Sequence, residues 1–239
     1  MKQKPLSITW FGHSAFLIGD STGKTVLVDP WLENPRSPVA PKECPGVDLI
    51  LVTHGHSDHI GNSVEIARRL DVPVISIHEV SLHLKSRGVQ RSQGMNKGGT
   101  VAVEGISVTM THAIHSGDID ISPGGAIEPG GEAAGFVICF EGHPSVYHAG
   151  DTHVFGDMKL IRELYKPEIA ILPIGGLYTM GPREAAMAVS FLKPRWVLGM
   201  HYGTFPALTG TPQELRKHLP ASQKHNVAEL VPGSPRLFE

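Results

Sequence analysis

Residues 51–62 read LVTHGHSDHIGN, and the middle of this stretch crowds three imidazoles and one carboxylate together: His54, His56, Asp58 and His59. The residues just before them, VDLILVT, form a continuous apolar and β-branched run, which is typical of a strand covered on both faces. The residues after them, GNSVEIARRL, have helical spacing. The sequence therefore predicts a strand, a loop rich in titratable groups and a helix, in that order.

The spacing of these side chains suits metal ions. Along an extended backbone, side chains two residues apart point the same way, so His54 and His56 can hold one cation between them. Asp58 and His59, at the turn into the helix, face another direction and can serve a second cation. Imidazole with carboxylate suits zinc, manganese or iron better than calcium, which takes oxygen ligands. Burying four such groups without a cation would demand an extensive hydrogen-bond network.

Four ligands do not complete two metal sites, so further ligands must come from other parts of the chain. The candidates are His112 or His115, Asp151 in YHAGDT, and His201 in GMHYGTFP. Each follows an apolar run, as ligands do when loops at one edge of a rigid scaffold build a site.

The rest of the chain predicts an α/β protein. Strands near 6–10, 14–19 and 25–28 open the chain as an antiparallel set, and later strands alternate with helices up to a terminal strand near 227–231. Two sets of strands, each followed by helices, imply packed sheets with helices outside. No repeat or linker divides the chain, so we expect a single domain over residues 1–239. Segment 115–134, rich in Gly and Pro, is expected to be a loop over the site or a flexible surface loop.

Composition and charge narrow the partners. Lys plus Arg number 21 and Asp plus Glu number 23, so no strong field attracts a polyanion, and we expect a small-molecule substrate rather than nucleic acid. Cys44 and Cys139 have no disulfide or CxxC pattern and are expected to be reduced. No segment approaches the ~20 apolar residues of a membrane span, and the first residues pass directly into strand-like sequence. A cytoplasmic location is the simplest expectation.

The order of these motifs resembles that of a known superfamily. THGHSDHIGN, followed by a histidine after a strand, then GDT and a late histidine, resembles the metallo-β-lactamase fold superfamily and its HxHxDH motif. WFGHSAFLI, VLVDPW, YHAGDT, LPIGGLYTMGPREAA and MHYGTFP are similar to its metal-dependent hydrolases related to L-ascorbate phosphate lactonase and N-acyl-phosphatidylethanolamine phospholipase D. The resemblance spans nearly the whole chain and implies a four-layer αββα sandwich with a dinuclear site at one edge.

The resemblance also implies which residues bind the two metal ions. It assigns to the first cation His54, His56 and a histidine of THAIHS. It assigns to the second cation Asp58, His59 and His201, with Asp151 as a bridge between the two cations. Between His112 and His115 we favour His115, because the dipeptide HS at positions 115–116 matches the family, whereas His112 still belongs to the strand.

Other residues are candidates for supporting roles. His13 can touch substrate and Asp29 can accept the second N–H of a ligand histidine, although a turn histidine and a backbone-capping aspartate are equally ordinary readings. His148 is a candidate for a position behind the ligands. Tyr178, in IGGLYTMGP, is a candidate for the wall of the substrate pocket.

The expected activity is hydrolysis. Two cations ~3.5–4 Å apart lower the pKa of a shared water toward about 7, which provides a metal-bound hydroxide. Such a centre can cleave an ester, lactone or phosphodiester of a small molecule, with Asp58 both binding metal and handling the proton. Two alternatives stay open. A nuclease of the same fold would need a basic stripe, and the only modest cluster is Lys85, Arg87, Arg91 and Lys97. A non-catalytic sensor would keep the metal ions without turnover.

Overall fold

The computed structural model of the chain describes residues 3–120 and 126–239. Residues 121–125 lie outside this description, and they belong to segment 115–134, for which a covering loop is expected. Within the described part of that segment, Ile119 and Glu128 form an isolated antiparallel bridge. Among the described helices, none is both long enough and apolar enough to cross a membrane.

The strands carry labels in chain order. The first seven are β1 (Leu6–Trp10), β2 (Phe16–Gly19), β3 (Thr25–Val28), β4 (Leu49–Leu51), β5 (Val74–Ile77), β6 (Ser92–Met95) and β7 (Thr100–Val103). The others are β8 (Ile106–His112), β9 (Ala134–Cys139), β10 (Val146–His148), β11 (Ile169–Pro173), β12 (Trp196–Met200), β13 (Val227–Ala228) and β14 (Arg236–Phe238). The α-helices are α1 (Ser57–Ile60), α2 (Ser63–Leu70), α3 (His78–Ser86), α4 (Met158–Tyr165), α5 (Pro182–Leu192) and α6 (Pro212–His218).

The strands form two mixed sheets that share one design. The first has the order β14-β1-β2-β3-β4-β5-β6, with antiparallel pairing from β1 to β3 and parallel pairing from β3 to β6. The second has the order β13-β12-β11-β10-β9-β8-β7, with antiparallel pairing from β7 to β10 and parallel pairing from β10 to β13. Ligands of open α/β sheets bind outside the carboxyl ends of such strands, so a site is expected in the loops at those ends.

The core explains why the long apolar runs form strands. β4 and β11 are buried over their whole length, as expected when both faces of a sheet are covered. The largest buried side chains come from both sheets, Trp10 and Phe16 from the first and Phe136 and Tyr147 from the second. α3 packs against β5 and β6, and α5 packs against β11 with α4 and α6 beside it. The layers are therefore αββα, which confirms the expected sandwich.

Three strands, β6, β7 and β14, are not predicted by the sequence pattern. β6 reads SQGM, which has little β propensity, and it lies so close to α3 that a Cβ on Gly94 would come 2.9 Å from the Cα of His78. β14, at residues 236–238, depends on pairing with β1, which lies more than two hundred residues earlier in the chain. The strand expected near 227–231 covers Val227–Ala228 alone. β14 has no local signal because its partner is distant, whereas β7, TVAV, forms a hairpin with β8 across the turn Glu104–Gly105, a local pattern that could have predicted it.

Candidate metal centre

The candidate ligands lie in loops that follow the carboxyl ends of strands. In the first sheet, His13 comes after β1, Asp29 directly after β3, and His54 after β4. In the second sheet, Asp151 comes after β10 and His201 directly after β12. Within each sheet these strands run in the same direction, so their carboxyl ends share an edge, and the two edges bring the side chains together.

Three of the histidines form a first cluster, which we call the three-histidine group: His54, His56 and His115. One ring nitrogen of each lies within 4.8 Å of the corresponding nitrogens of the other two. The closest pair is His54 Nε2 and His56 Nδ1, at 2.9 Å. His54 is fully buried, whereas His56 and His115 are partly exposed, with 14% of the His115 side chain accessible.

Gly55 explains how the loop carrying His115 comes so close to the HxH motif. Its N–H donates to the carbonyl of Gly117 at 3.2 Å. A Cβ at this position would lie 2.6 Å from Cγ1 of Ile119 and 2.9 Å from the oxygen of Gly117. Any larger residue would push the two loops apart, so the glycine between the two histidines is required for the three-histidine group to form.

A second cluster combines imidazoles with a carboxylate, and we call it the mixed group: His13, Asp58, His59 and His201. Asp58 Oδ2 lies 3.0 Å from His13 Nε2 and 3.6 Å from His201 Nε2. The three histidines are buried, and 24% of the Asp58 side chain is accessible. Apart from the Asp58 carboxylate, this group is closed to solvent.

Asp151 lies between the two groups. Its Oδ2 is 2.9 Å from His201 Nε2 and 3.2 Å from His59 Nε2, both in the mixed group. The same oxygen is 3.7 Å from His115 Nε2 in the three-histidine group. Asp151 also forms a set with His54 and His59 whose donor atoms lie within 4.8 Å of one another. One buried carboxylate thus reaches both groups, which is the geometry of a bridging ligand.

Asp29 holds His59 from behind. Its Oδ2 accepts a hydrogen bond from His59 Nδ1 at 2.7 Å and another from Thr53 Oγ1 at 2.8 Å, and its Oδ1 accepts from Thr53 N. The contact fixes Nδ1 as the protonated nitrogen and leaves Nε2 directed at Asp151. Asp29 has a φ of 46°, a left-handed conformation that is uncommon for non-glycine residues but that aspartate adopts more readily than most.

Two buried atoms test whether a divalent cation fits these residues. Asp151 Oδ1 has no hydrogen-bond partner among the described residues, and His59 Nε2 lies 3.2 Å from Asp151 Oδ2 without the geometry of a hydrogen bond, although both atoms are shielded from solvent. An unsatisfied buried polar group costs about 1–3 kcal/mol, and a cation bound by their lone pairs would remove that cost. Imidazole and carboxylate are also the ligand types that zinc, manganese and iron take. The residues therefore fit a metal ion.

The histidines differ in charge according to the carboxylates that face them. Burial alone would lower the pKa of His59, but the facing carboxylates, led by Asp151, raise it well above its usual value. For His201 the effect of burial is likewise outweighed, by Asp151 and then Asp58, and its pKa rises to about 9. For His54, burial and then the charge of His59 lower the pKa well below its usual value.

The two carboxylates at the centre are ionised at neutral pH. Burial would raise the pKa of Asp151, but the positive charges of His201 and His59 lower it well below its usual value. Burial of Asp58 is also outweighed, by the charge of His59 and by the hydrogen bond from His13, and its pKa falls. Without metal ions, the mixed group thus holds its shape through ion pairs between acid and imidazole.

His13 lies among the candidate ligands rather than at the substrate surface. It is fully buried, its Nδ1 is 2.9 Å from Thr204 Oγ1, and its backbone oxygen accepts from the N–H of His201 at 3.1 Å. Burial lowers its pKa to about 4, so the ring is neutral. A substrate contact is disfavoured because no part of the side chain is accessible. Its GHS motif alone does not reveal this position, because the contacts reach across to the second sheet.

The other predicted residues have different surroundings. His112 is exposed at the end of β8, with Nδ1 3.0 Å from Lys97 Nζ, and it belongs to neither group. His148 is buried in β10, where its Nε2 donates to the backbone oxygen of Ser14 at 3.2 Å. Tyr178 is 60% exposed and lines a cavity that opens over the two groups.

A cavity of about 400 Å³ opens over the two groups. Five candidate ligands reach it: His56, Asp58, His115, Asp151 and His201. The other side chains that line it are Trp31, Ser57, Ser116, Asp120, Tyr178 and Phe205. Among these, sequence reasoning singles out Tyr178 alone. Trp31 and Phe205 lie in the VDPW and HYGTFP motifs. Their closeness in sequence to predicted ligands is the signal that could have identified them as pocket residues.

Comparison with known proteins agrees with this geometry. The family model of the β-lactamase superfamily domain matches residues 24–202. A UPF0173 metal-dependent hydrolase of Methanosarcina mazei is 53% identical over 229 residues, which cover 95% of this chain and 96% of that protein. A UPF0173 metal-dependent hydrolase of Koribacter versatilis is 47% identical over 234 residues, 98% of each chain. The solved structure of Igni18, a metallo hydrolase from Ignicoccus hospitalis, superposes with a TM-score of 0.87 at 36% identity and covers 98% of this chain and 99% of its own.

Proposed function

Because the chain belongs to the UPF0173 metal-dependent hydrolase family of the β-lactamase superfamily, we propose that it cleaves an ester, lactone or phosphodiester of a small molecule at a centre for two divalent metal ions. The observation that carries the proposal is the position of Asp151, whose Oδ2 lies 2.9 Å from His201 Nε2 and 3.7 Å from His115 Nε2. A carboxylate within reach of two separate ligand groups can be shared by two cations, one in each group.

Each group supplies ligands to one cation in this proposal. The three-histidine group holds one, and Asp58, His59 and His201 of the mixed group hold the other, with Asp151 shared. His13 is a further nitrogen beside the second position, 3.0 Å from the Asp58 carboxylate. Zinc and manganese suit the set best and iron is compatible with it, because imidazole nitrogen and carboxylate oxygen are the donors.

The bound cations would supply Lewis acidity and make water a nucleophile at neutral pH. The chain itself contributes a fixed base and a shielded surface. Asp58 is ionised and partly exposed to the cavity, so it accepts a hydrogen bond from an attacking water and orients it. Asp29 keeps His59 in one tautomer, so its free nitrogen faces the centre. No serine or cysteine nucleophile is needed.

The nuclease alternative finds little support in surface charge. In the basic cluster Lys85, Arg87, Arg91 and Lys97, most members have an acidic partner. Arg91 pairs with Glu104 at 2.9 Å and Lys97 with Glu132 at 2.7 Å. A nucleic-acid surface needs unpaired cations to displace counterions from the phosphates, so this cluster is a poor candidate.

A substrate screen on metal-replete protein tests the proposal. Lactones, carboxylic esters and phosphodiesters are offered to the wild type and to His56→Ala, each with its metal content measured. We expect hydrolysis of at least one class by the wild type, and its loss in the variant with the fold intact by circular dichroism. A wild type that binds metal and leaves every substrate intact would favour the sensor alternative. Full activity in His56→Ala would remove His56 from the centre.

A further inference from the structure

Two aromatic side chains, one from each sheet, stack beside the cavity. Trp31 follows β3 and Phe205 follows β12, and their ring centroids lie 5.8 Å apart with an interplanar angle of 24°. Both rings also form T-shaped pairs with the buried His13 ring, with ring centroids 5.1 Å and 5.8 Å apart. The pair therefore lies directly beside the mixed group and presents an apolar face to the cavity.

The backbone holds Trp31 in place against the ligand loop. Asn62, just after α1, donates its N–H to the oxygen of Pro30 and accepts from the N–H of Leu32 through Oδ1, both at 2.9 Å. A Cβ on Gly61, whose φ is 40°, would lie 2.5 Å from Cα of Trp31. The segment carrying this indole is thus fixed to the end of α1, the helix that carries Asp58, and the aromatic surface is preformed.

A third apolar element completes the rim of the cavity. Leu177 and Tyr178 are 71% and 60% exposed at the tip of the loop between β11 and α5. Leu177 has a φ of 57°, and the loop is tied to the Asp151 segment by the bond from Met180 N to Thr152 O. Tyr178 lines the cavity, and Leu177 beside it has a backbone conformation that residues other than glycine rarely adopt, so the loop gives the cavity an apolar edge.

Apart from the histidines, the charged side chains that line the cavity are all acidic. No lysine or arginine lines it among the described residues, and residues 121–125, ISPGG, contain no charged side chain. Besides Asp58 and Asp151, the lining includes Asp120, whose Oδ1 accepts from Ser57 N at 2.6 Å and whose side chain is exposed. Cations bound at the centre would offset the first two carboxylates, but Asp120 belongs to neither ligand group.

We infer that Trp31, Phe205 and Tyr178 form a subsite for an uncharged apolar or aromatic group of the substrate, and that Asp120 disfavours substrates carrying an anionic group away from the reacting bond. The inference rests on the proposed function, which it narrows to neutral acyl compounds such as apolar lactones and esters. Substrates with a peripheral phosphate or carboxylate meet no cation there and are repelled by like charge.

Three δ-valerolactones that carry a methyl, a phenyl or a 4-carboxyphenyl group at the δ-carbon test both parts of the inference. The reacting bond is the same in all three, so differences in kcat/KM report the subsite. We expect the phenyl compound to exceed each of the others by about tenfold, the scale of one aromatic contact or one repulsive charge. Equal or better turnover of the carboxyphenyl compound would overturn the inference.

Single variants locate the effect. Phe205→Leu should reduce the preference for phenyl over methyl by roughly threefold to tenfold, while Phe191→Leu, a half-buried phenylalanine on α5 beside Lys159, should leave it unchanged. Asp120→Asn keeps the oxygen that accepts from Ser57 N and removes the charge, so it should recover most of the lost turnover of the carboxyphenyl lactone. Unchanged ratios in both Phe205→Leu and Asp120→Asn would contradict the assignment.

Binding of the matching lactams, which resist hydrolysis, separates this inference from the proposed function. Calorimetry with the phenyl and the 4-carboxyphenyl lactam needs no turnover. Tighter binding of the phenyl lactam supports the subsite even if no lactone is hydrolysed, in which case the proposed function alone fails. Equal binding, tighter binding of the carboxyphenyl lactam, or binding of neither overturns the subsite whatever the lactones show.

Discussion

The three-histidine group and the mixed group lie side by side but are stabilised in different ways. In the three-histidine group, imidazole faces imidazole, and two of its members are partly exposed. In the mixed group the histidines are buried and face ionised carboxylates. Asp29 supports the mixed group from behind by a direct contact with His59. The three-histidine group has hydroxyl contacts instead, Thr53 Oγ1 at 3.0 Å from His54 Nδ1 and Ser116 Oγ at 3.2 Å from His56 Nε2.

The difference shows which half is preorganised. Carboxylates in the mixed group hold their histidines through ion pairs before any metal arrives, so part of the ordering cost is met during folding. The three-histidine group has no carboxylate of its own and depends on Asp151 for negative charge. We therefore expect the two positions to respond differently to the same kind of substitution.

The largest effect is expected for Asp151→Ala, because this carboxylate lies within reach of both groups. Bound metal should fall from about two ions per chain toward one, and turnover should fall roughly 10³-fold, about 4 kcal/mol of barrier. Elemental analysis and kinetics on protein purified in parallel check both numbers. Asp157→Ala, an exposed aspartate just before α4, is the control and should match the wild type. Two retained ions with unchanged turnover would show that Asp151 is no bridge.

The next effect separates the two histidines of THAIHS. His115→Ala removes a donor of the three-histidine group and should lower metal affinity there by at least about 100-fold, the upper end for residues that merely support ligands. His112→Ala removes an exposed ring outside both groups and should leave affinity unchanged. Metal titration by calorimetry gives both values. The reverse order would mean that the ligand is His112.

A smaller effect is expected behind the mixed group. Asp29→Asn places an amide where a carboxylate accepts from His59, which should weaken metal binding in the mixed group about 10- to 100-fold. The three-histidine group should lose less, because Asp29 reaches His54 only through the Thr53 hydroxyl. Asp48→Asn is a matched control, since Asp48 also accepts from the N–H and Oγ1 of a threonine, Thr25, but contacts no histidine. Equal losses in both variants would indicate a general loss of folding.

The smallest expected effect is the release of a proton from His201 when a metal ion binds. The pKa of His201 is raised to about 9, mainly by Asp151 after burial is overcome, so without metal its ring is protonated at pH 7.5. A cation must displace this proton, and apparent affinity should therefore rise with pH until about pH 9. Calorimetry in two buffers of different ionisation enthalpy measures the release. In the mixed group, binding without proton release at pH 7.5 would show that His201 is no ligand.

The sequence predicts the sandwich and most of the centre because their signals are local. Each ligand candidate follows an apolar run that forms a strand, and the HxHxDH spacing carries its own geometry. His13 is harder to interpret because its contacts with Asp58 and Thr204 join segments far apart in the chain. The stacking of Trp31 on Phe205 has the same origin, since each ring comes from a different sheet. Contacts across the two sheets have no period that a sequence pattern could reveal.

Anomalous diffraction from crystals of the metal-loaded protein, at the absorption edge of the bound metal, tests the shared centre most directly. The account predicts two peaks per chain, one among His54, His56 and His115 and one among Asp58, His59 and His201, with Asp151 in contact with both. The same crystals show whether His13 contacts the second ion. A single peak in fully loaded protein, or two peaks of which Asp151 contacts one alone, would contradict the account.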